Sequence, residues 1–138
     1  MEYLTNGDFE NGKLEPWQSV GTPISVVEED GEYHAQLSAG GKLNQRFTIA
    51  DVQPRRFSVA VELRVSGGSD EAEGKVQLIW SANLSIKTFN LVESSDWTTV
   101  TIPVNLSSVT STNNVEVLVQ PRFDKVVSVR SVSVTDQL

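Results

Sequence analysis

Along most of this chain apolar residues alternate with polar ones at a period of two, the spacing of a half-buried β-strand. The clearest case is Phe57, Val59, Val61, Leu63 and Val65, interleaved with Ser58, Ala60, Glu62 and Arg64. The same alternation predicts strands over residues 24–29, 33–38, 42–50, 57–65, 76–80, 86–91, 98–104 and 125–134, and around Val115, Val117 and Val119. Within 33–38, Tyr33, Ala35 and Leu37 share one face and His34 and Gln36 the other. Leu43, Phe47 and Ile49 share a face of the next strand, and at the end of the chain Val127, Val129 and Ser131 alternate against Ser128 and Arg130.

The punctuation between these segments is that of turns and loops. Asp30-Gly31 is a strong turn signal, Ala39-Gly40-Gly41 breaks a strand, and residues 51–55 contain a proline. Residues 66–74 are rich in glycine and acid, and 106–114 in serine, threonine and asparagine, so both read as loops. Apolar residues nowhere recur at three and four positions over several turns, which excludes a long helix. About nine or ten short strands separated by turns predict an all-β antiparallel sandwich or barrel. Periodicity does not choose the topology.

Composition changes this picture only by exclusion. A chain of 138 residues with ordinary apolar content is expected to be one domain, 1–138, with a core of its own. The absence of cysteine rules out disulfides and thiolate metal sites. Eighteen acidic residues against eleven basic ones leave a net charge of -7, which argues against nucleic acid or an anionic membrane as partner. The apolar runs are too short to span a bilayer. No leader is expected ahead of the opening motif, which starts almost directly after Met1. The compartment is therefore left between two readings, a protein kept inside a cell or virion and a domain excised from a larger secreted chain.

One stretch carries more than alternation. Leu4-Thr5-Asn6-Gly7-Asp8-Phe9-Glu10-Asn11-Gly12, followed by Leu14-Glu15-Pro16-Trp17, surrounds two large aromatics with residues that tolerate positive φ. It resembles the opening of the jelly-roll carbohydrate-binding modules of families four, nine, sixteen and twenty-two, galactose-binding-like β-sandwiches found beside cellulase and xylanase catalytic domains. Here Pro16 stands where those modules usually have glycine. The segments DGEYHAQLS, KLNQRFTIADVQPRRFSVAVELRV, SSDWTTVTIPV and VVSVRSVSV resemble later parts of the family in the expected order. The resemblance implies a jelly roll of two antiparallel sheets, one of them concave, with Trp17 and Trp97 as architectural core residues.

The resemblance also implies a structural calcium ion, held by the opening motif and an acidic pair in the last strand. Calcium needs several oxygen ligands, and the corresponding positions here are Arg130 and Ser131. Arginine offers only donors and a fixed positive charge. No cofactor is therefore expected, the calcium site being disfavoured, and Arg130 is expected to pair with Glu10. The alternative is that both are solvated surface charges.

Nothing marks a catalytic site. The single histidine, His34, lies in a predicted strand, no Gly-x-Ser-x-Gly elbow is present, and no spacing singles out a carboxylate pair. Gly40-Gly41 and Gly67-Gly68 read as turns, and the acceptor tripeptides at Asn83 and Asn105 carry little weight without a secretory leader. A sugar, by contrast, is recognised by aromatic platforms flanked by planar hydrogen-bonding side chains. His34, Gln36, Glu62, Arg64, Gln77, Gln120 and Arg122 lie opposite the core faces, and would share one surface if their strands lay side by side in the concave sheet. Trp80 and Phe123 are the candidate platforms. The expected partner is a short or soluble glycan, bound without catalysis. The alternative is a structural or assembly domain that keeps the fold without sugar binding, self-associating or serving a larger multidomain protein.

Overall fold

The computed structural model describes residues 4–38, 40–48, 55–66, 72–80, 83–91, 96–106, 112–119 and 126–137. They form ten strands: β1 (Gln18–Val20), β2 (Ser25–Glu29), β3 (Glu32–Leu37), β4 (Lys42–Thr48), β5 (Arg55–Ser66), β6 (Ala72–Trp80), β7 (Asn83–Leu91), β8 (Thr98–Leu106), β9 (Thr112–Val119) and β10 (Val126–Gln137). Sheet I has the order β1-β4-β9-β6-β7 and sheet II the order β2-β3-β10-β5-β8. The pairings within both sheets are antiparallel. The protein is an antiparallel β-sandwich of the jelly-roll kind.

The core is the alternation turned into layers. Phe57, Val59, Val61, Leu63 and Val65 from β5 are all buried, with Leu37, Val127 and Val129 beside them in sheet II and Leu43, Val76, Val115 and Val117 in sheet I. Each such side chain contributes about 1.5–3 kcal/mol on burial, so the face of every strand is set by which residues it can hide.

Several strands run further than the sequence reading placed them. β6 starts at Ala72 and β9 at Thr112, so Ala72, Glu73 and Gly74, and Thr112, Asn113 and Asn114, are strand where composition suggests loop. Cross-strand pairing explains it: Ala72 pairs with Leu91 and Thr112 with Thr48, so ladder hydrogen bonds override local propensity. β1, whose residues are all exposed, was not legible at all. Ile49, Ala50 and residues 51–54 lie outside the described residues, as do 67–71 and 107–111.

The last strand corrects a face assignment. Val129 pairs with Leu63 and Ser131 with Glu62, so Arg130 is an extra residue and the register shifts around it. A bulge reverses the parity of everything after it. Val132 and Val134 are therefore buried in the core, while Ser131, expected on that face, is not.

The opening motif is a compact loop pinned to both sheets. Asn6 and Phe9 sit in the left-handed region, at φ of 55° and 57°. The Asn6 side-chain amide donates to the carbonyls of Lys13 (2.7 Å) and Glu15 (3.0 Å), while the Asn6 backbone carbonyl accepts from Trp17 Nε1 at 2.8 Å. These bonds seat Phe9 and Trp17 in the core with ring centroids 6.0 Å apart. The Gly7 carbonyl accepts from the Val132 N–H of sheet II at 2.8 Å. On the other side the buried Gln45 of sheet I both donates to and accepts from the Thr5 backbone, each at 2.8 Å.

Gly7 is required by this docking, since a Cβ there would collide with the carbonyl oxygen of Val132. Gly7→Ala is expected to cost about 1–3 kcal/mol, the range of an overpacked contact, measured as a lower midpoint in urea at unchanged slope. A midpoint equal to that of the parent protein would show that the loop is not held against β10 in this way.

Candidate functional site

Two outward faces are available, one per sheet. On sheet II the centre is Trp97. Val100 and Ile102 of β8 point inward, so parity sends residue 97 outward, and the pairing of Thr98 with Leu63 brings it beside Arg64. The guanidiniums of Arg64 and Arg130 lie 4.6 and 4.5 Å from its ring centroid, and the His34 ring meets it edge-on at 5.6 Å. Trp97 is thus half-buried on the outer surface. This corrects the expectation that it belongs to the core. The signal was in the sequence, since Trp97 has the opposite parity to Val100 and Ile102.

The two arginines are committed to carboxylates as well. Arg64 makes a two-pronged bond to Glu29, both distances 2.9 Å, and Arg130 donates from Nε to Glu62 at 2.6 Å and approaches Glu32 at 3.5 Å. Arg130 therefore pairs with Glu62 and Glu32 and not with Glu10, because the bulge turns it across the sheet toward β5 and β3. The hydrogen bond from Arg64 holds the Glu29 carboxyl below its usual range, and that from Arg130 does the same for Glu62. Both guanidiniums are raised in return by those same bonds. His34 is only 2% exposed. Burial first, and then the two nearby arginines, lowers its pKa against the opposing pull of Glu29. The ring is accordingly neutral near pH 7, and its Nε2 lies 3.4 Å from the Gln36 amide.

Beside this cluster lies a cleft of about 480 Å³ lined by Asp8, Glu10, Glu32, Tyr33, Glu62 and Arg130. Among the described residues no group of three His, Cys, Asp or Glu side chains converges closely enough to hold a metal ion.

Sheet I presents a different surface. Leu43, Gln45 and Phe47 point inward, so Lys42, Asn44 and Arg46 point outward; Val115 and Val117 likewise put Asn114 and Glu116 on that face. Register aligns these residues across the strands. Gln18 pairs with Asn44, Asn44 with Glu116, and Glu116 with Gln77. At about 4.8 Å per strand the row spans about 14 Å. Glu116 is only 6% exposed although it points away from the core, so neighbouring side chains cover it. Its carboxylate accepts from Asn44 Nδ2 at 2.8 Å and lies 3.2 Å from Lys42 Nζ. A carboxylate withdrawn from water needs such partners, and they fix the Asn44 amide in one orientation.

The residues expected to share one surface are divided between the sheets. His34, Gln36, Glu62 and Arg64 belong to β3 and β5 of sheet II, and Gln77 and Trp80 to β6 of sheet I. Gln120, Arg122 and Phe123 lie outside the described residues. Alternation tells which side of a strand is outward but not which sheet the strand joins. Asn44 was missed for that reason and Gln18 because β1 itself was not legible, and Glu116 was legible only as an outward residue.

A family model described as a carbohydrate binding domain, CBM_4_9, matches residues 1–125. Comparison with curated protein sequences finds no match. Among solved structures, the chain is similar to TmCBM61 in complex with β-1,4-galactotriose, at 16% identity, TM-score 0.81 and 99% coverage of both chains. It is also similar to the CBM22-1 xylan-binding domain from Paenibacillus barcinonensis Xyn10C, at 11% identity and TM-score 0.71, covering 99% of this chain and 92% of that one. A third similar structure is the enzymatically active domain of bacteriophage CBA120 tailspike protein 4, at 11% identity and TM-score 0.70, where 99% of this chain corresponds to 21% of the other. At these identities the structures speak for the fold.

The Trp97 cluster makes stability depend on pH with a definite sign. Glu29, Glu62 and His34 all have lowered pKa values in the folded protein. Their contribution is complete above the unfolded values, about 6.5 for histidine and about 4.3 for glutamate, and is lost as pH falls through the folded ones. Unfolding free energy measured against pH is expected to decline below about pH 6.5 and more steeply in the carboxylate range. His34→Gln should flatten the first part of the decline; an unchanged slope there would remove His34 from the account.

Proposed function

The chain belongs to the carbohydrate binding domain family, and from that premise we propose that it binds a short glycan, without chemistry on it, through the outward face of sheet I. The observation that carries this reading is the row Gln18, Asn44, Glu116 and Gln77, aligned by register across four strands with Glu116 nearly buried among its neighbours. A sugar offers a rim of hydroxyls, each both donor and acceptor. Amide and carboxylate positions at strand spacing match such a rim, and the bond between Asn44 and Glu116 pre-organises that pair, which reduces the entropy lost on binding. A line of about 14 Å suits an oligosaccharide rather than a long polymer.

The sheet II residues expected to bind take a structural role in this reading. Arg64 and Glu62 are tied into ion pairs, and Trp97 already carries two guanidiniums and an imidazole. His34 is buried against that ring, which also supports a non-catalytic domain.

We infer further that Arg130 takes the place the family resemblance gives to calcium. Asp8 and Glu10 of the opening motif, with Arg130 and Ser131 of the last strand, line one cleft, and the guanidinium reaches Glu62 and Glu32 there. A fixed cation on the chain balances those carboxylates and repels a second one. Thermal unfolding is expected to show the same midpoint with calcium and with a chelator, whereas Arg130→Asp should acquire a calcium-dependent rise. A rise of several degrees in the unaltered chain would overturn this.

A glycan array followed by calorimetric titration tests the binding face. Asn44→Ala and Glu116→Gln are each expected to weaken affinity by about tenfold or more, the effect of removing a hydrogen bond to a charged or fixed partner. Arg64→Ala is expected to lower stability and leave affinity unchanged. Silence across the array from a folded protein, or loss of affinity on Arg64→Ala alone, would reject sheet I as the binding face.

A further inference from the structure

The charge on the sheet I face runs against that of the chain. The protein carries a net charge of -7, yet the outward positions of sheet I on β4, β9 and β6 carry three cations, Lys42, Arg46 and Lys75, against two carboxylates, Glu116 and Glu73. The acids are concentrated elsewhere. Asp8, Glu10, Glu29, Glu32 and Glu62 all lie on the sheet II face or its cleft, where two arginines balance part of their charge.

Register places the cations around the polar row. Leu118 pairs with both Lys42 and Lys75, so these two lysines stand in one line across the sheet. They are two strand spacings, about 10 Å, apart. Arg46 pairs with Asn114 on the opposite side of the row and is exposed. Lys42 is engaged with Glu116 at 3.2 Å, whereas no carboxylate of the described residues pairs with Arg46 or Lys75. The row of hydrogen-bonding groups is thus bordered by positive charge on both sides.

We propose that the glycan taken by this face carries acidic groups on its sugar rings. The inference rests on the sheet I binding reading and adds the ligand's charge to it. Neutral hydroxyls would gain nothing from the flanking cations. A carboxylate or sulfate at the border of the row would meet Lys75 or Arg46, an attraction that water and salt screen in part. The local excess of positive charge would also draw an acidic ligand to this face and away from the acidic sheet II side.

The test is calorimetric titration of the intact chain with trigalacturonic acid, a sulfated galactan oligosaccharide and neutral β-1,4-galactotriose. One or both acidic ligands are expected to bind about tenfold more tightly than the neutral one, as two weak surface ion pairs would give. That advantage should shrink as salt is raised. The Arg46→Gln/Lys75→Gln double variant should lose most of it, and Lys13→Gln, on the opening loop, should keep it. The two acidic arms distinguish carboxylate from sulfate. Galactotriose bound as tightly as both acidic ligands, or an advantage indifferent to salt and to the double variant, would overturn the proposal while leaving glycan binding in place. If none of the three ligands binds and the glycan array is also silent, the binding reading fails and this proposal with it.

Discussion

The docking of the opening loop between the two sheets is the constraint on which the rest of the structure depends. Its Gly7 carbonyl bonds to the backbone of β10 in sheet II, while the Thr5 backbone is clamped by the Gln45 side chain of sheet I. A segment without strand partners would otherwise bury unsatisfied backbone groups, each costing about as much as a lost hydrogen bond. Gln45 supplies the two bonds a neighbouring strand would have made. With those satisfied, Phe9 and Trp17 enter the core from the same loop. One short motif thus links the sheets through polar bonds at its edges and apolar burial at its centre.

The bulge at Arg130 couples this architecture to the surface. One extra residue keeps Val132 and Val134 on the core side beyond the point where Gly7 docks, and it turns Arg130 onto the outer face of sheet II. There the guanidinium meets Trp97, Glu62 and Glu32 together. Exposed ion pairs and cation–π contacts are individually weak, about 0.2–1 kcal/mol each. Their value here is geometric, because one tryptophan ring organises two arginines that reach carboxylates on β2, β3 and β5 and so ties four strands and the start of β8. Sheet I has no comparable cover among its described outward residues. Register instead aligns Gln18, Asn44, Glu116 and Gln77 in a row across it, which is the arrangement proposed to meet a hydroxyl-rich ligand.

Much of this was legible in the residues. Alternation located nine of the ten strands, and the core faces of β3, β4, β5 and β9 follow from it directly. The opening motif marked the fold and its two core aromatics. Errors gathered where a local pattern depends on a distant partner. Glu73, Asn113 and Asn114 look like loop residues until a neighbouring strand pairs with them, and Ser131 looks like a core position until the bulge at Arg130 is seen.

The candidate site shows the same division. From the sequence, His34, Gln36, Glu62, Arg64 and Gln77 are all outward residues, and that holds for the four whose side chains are described, though His34 is covered by Trp97. What the sequence does not contain is the order of strands, since side-chain parity is a property of one strand while sheet membership depends on hydrogen bonds between residues many positions apart. The sequence by itself determined the fold class, the core and the opening motif, because burial and turn chemistry are local and repetitive. Only the tertiary structure separated the Arg64–Trp97–Arg130 cluster from the Asn44–Glu116 row, because long-range pairing decides which outward residues become neighbours.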